Sequence, residues 1–470
     1  MNTTKLANTG ITDTELTAFR LRIKGEIILP GDEAYDAARE LHNARIDKRP
    51  AIIVRTRDAA DVSRAIHFAR RHNLALAVRS GGHSIPGHSL NDGGLVIDMS
   101  GMDELRIDPE QRVAWAQPGV KAGTFVNEAQ AHGLAVPFGD AGSVGVGGIT
   151  LGGGIGFLAR KHGLTIDHLT AVEMVTAEGQ IVQASETENP ELFWAVRGGG
   201  GDFGVVTGFQ FELVEVGNIY GGMLALPASA EVVREYARLS QEAPEELTTI
   251  AAVLHAPPLP FVPESAVGTV VVAIFTCYAG DPAEGERVMA PFRALAAPVI
   301  DMLMPMPYAG LYAMMDGIAQ RARASVRSGF YDELSGETVT KMLQVIEDSP
   351  APGAMLQIRP LGGEMARVDP RATAFSHRQS RFMVAVMNTW EEPEIDAFNQ
   401  AWVADAWAVV GAEHRGVYSN FLDDEGEARV REAYLDETYE RLAEVKAVYD
   451  PENVFAGNQN VRPKRARAAA

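Results

Sequence analysis

Three stretches concentrate the glycine of this chain: "VRSGGHSIPGHS" (78–89), "AGSVGVGGITLGGGIGFLARKHG" (141–163) and "LFWAVRGGGGDFGVVT" (192–207). So many residues without a Cβ cannot form an ordinary helix or strand. A flexible linker would pair glycine with serine and carry little that is apolar. Here Val144, Val146, Ile149, Leu151, Ile155, Phe157 and Leu158 punctuate the second stretch, so it is expected to be packed and ordered. Glycine then serves close approach, and backbone N–H groups of a curved chain offer a nest to anionic oxygens. The first stretch lies between "LALA" and "GGLVIDMS", which reads as a turn between two buried strands, and it carries His83 and His88. Three such clusters within about 130 residues imply an elongated ligand that touches all of them. FAD, with its pyrophosphate, ribityl chain and tricyclic ring, is a ligand of that kind.

Two other nucleotide sites compete. Gly154, Gly156 and Ala159 have dinucleotide-fingerprint spacing, with Glu173 and Glu178 beyond them. That fingerprint needs a clean apolar strand before it and an unbroken helix after it. "VGVGGITL" precedes it here and Gly163 breaks the segment after it, so the match is weak. No GxxxxGK[ST] occurs, which excludes a P-loop.

A chain of 470 residues exceeds one small core and points to two domains. Lys and Arg number 42 against 62 Asp and Glu, a net charge of −20, which disfavours nucleic acid and anionic membrane surfaces as partners. The single cysteine, Cys277 in "FTCYAG", excludes an intrachain disulfide and a thiolate metal cluster, and its apolar setting reads as core. No metal site is expected. "MNTTKLANTG" lacks a secretory pattern and no run approaches a membrane span, so a cytoplasmic protein is expected, with "RPKRARAAA" a solvated tail.

Along the chain, "AIIVRTRDAADVSRAIHFARRHNLALAVRS" predicts a strand at 52–55, a helix capped by Asp58 and a strand at 74–79. Past about residue 215 the glycine density falls. "TVVVAIFTCYAG" and "RFMVAVMNTW" read as long strands, and "AEGERVMAPFRALA", "GETVTKMLQVIEDS" and "EPEIDAFNQAWVADAWAVV" as amphipathic helices. Strands and helices in blocks predict an α+β second part with an antiparallel sheet covered by helices. A last helix, "DETYERLAEVKAVYD", is closed by Pro451.

"RSGGHSIPGHS", "GSVGVGGITLGGGIGFLARKHGLTIDHL", "LFWAVRGGGGDFGVVT" and "VYDPENVFAGNQNV", in this order and spacing, resemble the FAD-linked oxidases of the berberine bridge enzyme-like group. That group lies within the vanillyl-alcohol oxidase and p-cresol methylhydroxylase superfamily. The resemblance is tight over 45–215 and the last 55 residues and looser between. It implies a two-domain fold: FAD-binding residues 1–215 and 421–470 around an inserted substrate domain at 216–420.

The resemblance also assigns roles. The histidine matching His83 is bonded through its ring to the flavin 8α carbon, an electron-withdrawing tether that makes the ring a better hydride acceptor. Around it Arg79, Ser80, Gly81, Gly82, Ser84, Gly87 and Ser89 match the first cofactor loop, and Ser143, Gly145, Gly147, Gly148, Gly153, Gly154 and Gly156 the second. Gly204, Val206, Asn458 and Asn460 complete the cofactor set. His88 has no such match and reads as structural. Where many relatives carry a cysteinyl tether this chain has Ala141, so a single histidyl bond is expected, as in relatives resembling 6-hydroxynicotine oxidase. Val144 matches the position whose small side chain leaves room for oxygen beside the flavin, which implies an oxidase releasing hydrogen peroxide.

Relatives acting on alcohols and phenols place Glu or Tyr where this chain has Met383 and Phe421, and neither takes a proton. An amine substrate needs no such base once its nitrogen is neutral. A hydroxyl substrate, a sugar or polyketide-like alcohol, would need another group, such as Tyr418, Asn420, Tyr308, Tyr312 or His255. Tyr418 and Asn420 of "VYSNF", read as one strand face, match a family pair near the flavin and are expected to position the reacting groups. Small-molecule substrate and O2 are the implied partners. A dehydrogenase, or an inert flavin-binding protein, stands as the alternative.

Overall fold

The structure is a computed structural model that describes residues 10–318 and 320–464. Four strands, β1 (Glu26–Ile28), β2 (Ile52–Arg55), β3 (Leu76–Arg79) and β4 (Leu95–Asp98), form a first sheet in the order β1-β2-β4-β3, with β4 parallel to both β2 and β3. Ile52, Ile53, Val54, Leu95, Val96 and Ile97 are fully buried, as continuous apolar runs require when both faces of a parallel sheet are covered. Asp58 caps the helix Ala59–Arg71 by accepting the Asp61 N–H, as the sequence predicts. The strand expected at 74–79 starts at Leu76 instead. The chain is still leaving the helix at Asn73 (φ 52°), and the Leu74 N–H bonds the Ala69 carbonyl.

The second sheet is antiparallel. Strands β5 (Leu105–Asp108) and β6 (Val113–Ala116) precede the short β7 (Leu134–Ala135), followed by β8 (Leu169–Val175), β9 (Ile181–Ser185) and β10 (Val205–Glu212). The order is β5-β6-β10-β8-β9, while β7 pairs with β11 (Val214–Glu215). Between β7 and β8 the glycine-rich segment is ordered, with short helices Val146–Leu151 and Ala159–His162. Within it Gly156 is pressed against protein: a Cβ there would lie 1.8 Å from the Phe138 carbonyl oxygen. Gly156→Ala is therefore expected to destabilise the chain by about 1–3 kcal/mol, read as a lowered midpoint in urea unfolding.

The third sheet comprises β12 (Asn218–Pro227), β13 (Leu247–His255), β14 (Val270–Tyr278), β15 (Ile300–Asp301), β16 (Met304–Pro307), β17 (Arg323–Tyr331), β18 (Ala354–Pro360) and β19 (Phe382–Trp390). Its order is β15-β12-β14-β13-β18-β19-β17, with β16 beside β12, and its pairings are antiparallel. Alternation divides the faces. Ala251, Val253, Leu356, Ile358, Val384 and Val386 enter one apolar layer with helices Ala230–Glu242, Gly336–Glu347 and Asp396–Val410. Ala252, Ala273 and Phe275 point the other way, into the core shared with the glycine-rich segment. Cys277 lies in that core and is fully buried.

One expectation is corrected. "VYSNF" is not a strand: Ser419–Phe421 is a single 3-10 turn closed by the Phe421 N–H on the Tyr418 carbonyl. Arg415 and Gly416 bond Phe330 of the edge strand β17, but the Val417 N–H turns to the Glu432 carbonyl and the pairing stops there. No helix among the described residues is long and apolar enough to cross a membrane, and no cluster of metal-ligating side chains occurs among them.

Candidate active site

The loop leaving β3 is built by backbone contact. A Cβ on Gly81 would lie 2.2 Å from the Gly145 nitrogen, and one on Gly145 would lie 2.4 Å from the Gly81 nitrogen. The loops at 79–84 and 143–147 thus meet main chain to main chain, which only glycine permits. Ser80 Oγ donates to the Pro118 carbonyl at 2.5 Å and a Cβ on Gly147 would touch it, while Arg79 donates to the Ala38 carbonyl and Lys121 Nζ to that of Gly81. Ser84 Oγ accepts the His88 N–H at 3.0 Å, Gly87 packs on Ile46 and Ser89 is buried.

His83 stands at this junction. Its ring is stacked on His42, centroids 4.1 Å apart and planes 18° apart, and it hydrogen-bonds the Ser143 backbone. Part of the ring reaches the surface, yet the protein around it disfavours a positive charge. Burial foremost, then His42 and Lys121, push the imidazole down to about 3. It is neutral at physiological pH, and a neutral imidazole carries a lone pair on one ring nitrogen. His88 is likewise neutral, pushed down to about 4 mainly by burial, and its Nε2 is buried without a partner.

Much of the glycine demand in the second and third clusters comes from the protein itself. Gly154 (φ 81°) packs on Thr165, Gly153 on Phe375, Gly152 on Asn420 and Gly204 on Met174 and Val175, while Val206 is buried in β10. The Gly142 and Ser143 amides, candidates for an anion nest, are taken by Asp316 at 2.8 and 3.2 Å. Gly148 is different: it is exposed, and a Cβ there would meet nothing within 4 Å. Asn458 approaches Gly201, and Asn460 keeps a buried Oδ1 with no partner.

Tyr418 is buried, and its hydroxyl oxygen accepts N–H bonds from Gly154 (3.0 Å), Ile155 (3.3 Å) and Asn420 Nδ2 (2.9 Å). Burial raises its pKa, against the pull of those donors. Asn420 also donates to the Ile149 carbonyl, so this pair ties the 3-10 turn to the glycine-rich segment. Phe421 stacks on Tyr418 at 5.7 Å, and the Arg359 guanidinium lies over Phe421 at 5.1 Å.

The sheet face turned toward these loops carries aligned rows. Ala273, Ala252, Gln357, Ala385 and Ser328 are successive register partners from β14 to β17, a floor of small side chains with one amide. Beside it Arg359 pairs with Met383, and Met383 with Phe330. On the other side run Leu254, Met355, Met387 and Val326. Val144, half-buried, belongs to the loop against Gly81, and its carbonyl accepts the Ala122 N–H.

Tyr308 and Tyr312 do not present free hydroxyls: they bond each other at 3.1 Å, and Tyr312 donates to the Gly139 carbonyl at 2.7 Å. His255 lies at the end of β13 opposite Val270. Residues of the site that the sequence motifs do not single out are His42, Asp140, Asp316, Gln357 and Arg359. Polar Gln357 and Arg359 alternating with Leu356 and Ile358 in "AMLQIRP" were a usable signal; His42 had none.

Two glycine-bearing loops, a neutral histidine at their junction, the open Gly148 and the orphaned Asn460 oxygen fit an elongated, oxygen-rich cofactor of the FAD kind. With the open sheet face beside them they define a flavin-linked oxidoreductase. Comparison with known proteins agrees. The FAD binding domain family matches residues 50–185, and the family described as berberine and berberine like matches 417–462. (R)-6-hydroxynicotine oxidase of Paenarthrobacter nicotinovorans is 32% identical over 462 residues, spanning 94% of this chain and 98% of that protein. Chitooligosaccharide oxidase of Gibberella zeae is 27% identical, spanning 92% of each. The crystal structure of 6-hydroxy-D-nicotine oxidase from Arthrobacter nicotinovorans superposes with a TM-score of 0.83 at 28% identity, covering 94% of this chain and 99% of that one. The chain belongs to the berberine bridge enzyme-like FAD-linked oxidoreductases.

Proposed function

We propose that this protein is an oxidase that takes a hydride from a C–H bond of a small organic substrate onto FAD tethered singly through His83, with O2 as the final acceptor and H2O2 as product. When bound, FAD accepts two electrons and passes them to dioxygen. The observation that carries the reading is His83 itself, a neutral imidazole stacked on His42 at the junction of the two glycine loops. In this reading residues 1–215 and 421–470 hold the cofactor and 216–420 supply the substrate surface. Arg79 to Ser89 and Ser143 to Gly156 flank the pyrophosphate and ribityl chain, while Gly204, Val206, Asn458 and Asn460 flank the far end. Val144 leaves space for oxygen, and Tyr418 with Asn420 fixes the edge of the site.

Met383 and Phe421, which face the site, hold no proton acceptor. That favours an amine, whose nitrogen lone pair supports hydride loss without a protein base. The relative named a 6-hydroxynicotine oxidase fits such a substrate, whereas the one named a chitooligosaccharide oxidase points to alcohols.

The test is anaerobic mixing of the purified yellow protein with 6-hydroxynicotine and other secondary and tertiary amines, and separately with chitooligosaccharides. Bleaching by an amine, recovery of colour in air and one peroxide per turnover are expected. The rate should rise with pH until the substrate amine is neutral. Bleaching by sugars alone would replace the amine reading, and colour recovery without peroxide would exclude an oxidase.

A further inference from the structure

Arg359 is only 4% exposed, an unusual place for a cation. It projects from β18 on the side opposite Ile358, and its Nη2 serves both Asp140 Oδ2 at 2.7 Å and Gln357 Oε1 at 2.9 Å. Asp140 therefore holds it by one nitrogen, without the two-pronged geometry that best offsets a buried guanidinium. Nε is buried without a partner, and Nη1 has no hydrogen bond among the described residues.

Arg359 also lines a cavity of about 10 Å³, together with Ile155, Gly156, Thr248, Ile250 and Leu361. Thr248 is 5% exposed, and its Oγ1 is also buried without a partner. A volume of roughly 10–15 Å³ with two or more polar partners holds one water. One water of that size would satisfy both orphaned atoms, Arg359 Nε and Thr248 Oγ1.

The unengaged nitrogen then belongs to the site. Asp140 is the carboxylate bonded to this guanidinium, through Nη2 alone; beyond it Met383 is the register partner of Arg359, Phe421 its ring contact, and the adjoining row is Ala273, Ala252, Gln357, Ala385 and Ser328. Those small side chains leave flat room for a ring. An anionic oxygen is the group that would complete this arginine. As a phenolate or enolate on the reacting group it would also suit a site without a protein base, because that oxygen has already shed the proton a base would remove.

We propose that Arg359 is a substrate-discriminating residue of this site, and that the substrate it selects carries an acidic oxygen, bound as carboxylate, phenolate or enolate. The proposal rests on the flavin reading above and adds a charge requirement to it.

Benzoate and benzamide, similar in shape and different in charge, are the probes, titrated into flavin-loaded protein and followed by the visible flavin spectrum. Benzoate is expected to bind at least about tenfold more tightly. Arg359→Gln should abolish that preference with benzamide binding and flavin content unchanged, and Arg359→Lys should retain part of it. Asp140→Asn, which removes a competing carboxylate, should tighten benzoate binding severalfold and leave benzamide alone. Equal affinities in the wild type, or an Arg359→Gln variant that weakens both probes alike, would overturn the proposal and leave Arg359 a strut between β18 and Asp140. A protein that purifies without flavin would overturn the flavin reading, and this proposal with it.

Discussion

His83→Ala is expected to yield a chain whose mass after denaturation equals that of the polypeptide alone, whereas the wild-type chain retains the mass of one FAD and precipitates yellow. Denaturation separates a covalent tether from tight binding, since only the tether survives it. The physical requirement is a nucleophilic nitrogen at neutral pH. His83 meets it because burial, His42 and Lys121 all disfavour the imidazolium, and a neutral imidazole keeps a lone pair on one ring nitrogen. Ala141 offers no second attachment, and Cys277 is buried in the core with its thiol pushed far up by burial, so no cysteinyl tether is expected in the variant. Intact-protein mass spectrometry reads the outcome. A wild-type chain without the added mass, even after incubation with FAD, would refute the tether; persistence of the added mass in His83→Ala would place the tether on another residue.

Lys446→Met is expected to cost about 3–5 kcal/mol of stability, the usual consequence of leaving buried charge unpaired. Lys446, Asp450 and Asp202 are all buried. Lys446 Nζ donates to Asp450 Oδ2 (2.7 Å) and to the Asp202 (2.5 Å) and Phe455 (3.3 Å) carbonyls, while Asp450 accepts the Val454 and Phe455 N–H groups. Asp202 Oδ2 takes the Val461 N–H, and its Oδ1 has no partner. This knot fastens the C-terminal stretch that carries Asn458 and Asn460 to the third glycine cluster, and the loss should read as a lowered midpoint in urea unfolding.

The same knot makes stability pH-dependent. Desolvation pushes the Asp202 carboxyl up to about 7 from its ordinary 3.8, against the pull of Lys446. A folded-state value above the unfolded one means a contribution that is full below about pH 4 and is lost as pH rises through 7. The slope for one proton is at most about 1.4 kcal/mol per pH unit. Asp202→Asn should remove that loss: its melting temperature should exceed that of the wild type at pH 8 and draw level or fall below it at pH 5. Parallel profiles for the two proteins would show that Asp202 does not titrate in this range.

The cofactor loops were legible because their constraint is local. Glycines in clusters, broken by Val146, Ile149 and Phe157, signal an ordered chain in close contact. From the sequence that contact is expected to be with a ligand, whereas much of it is protein against protein: Gly81 on Gly145, Gly156 on Phe138, Gly154 on Thr165. Backbone crowding looks the same in sequence whichever neighbour causes it. "VYSNF" misled because only the residues before it reach the edge strand β17, through Phe330 with Arg415 and Gly416; the chain then turns, and a 3-10 turn takes up the backbone of 419–421 instead.

By itself, the sequence determined the parallel apolar strands before the first loop, the helix capped at Asp58, the amphipathic helices over the large sheet and the histidine in the glycine turn. Each arises from periodicity or from backbone freedom within a short window. Only the tertiary structure decided that His42 stacks on His83, that Asp316 takes the Gly142 and Ser143 amides, and that Arg359 lies between Asp140, Met383 and Phe421. Those neighbours come from segments far apart in the chain. Strand register and the packing of the sheet against the loops bring them together, and neither is written in any local pattern.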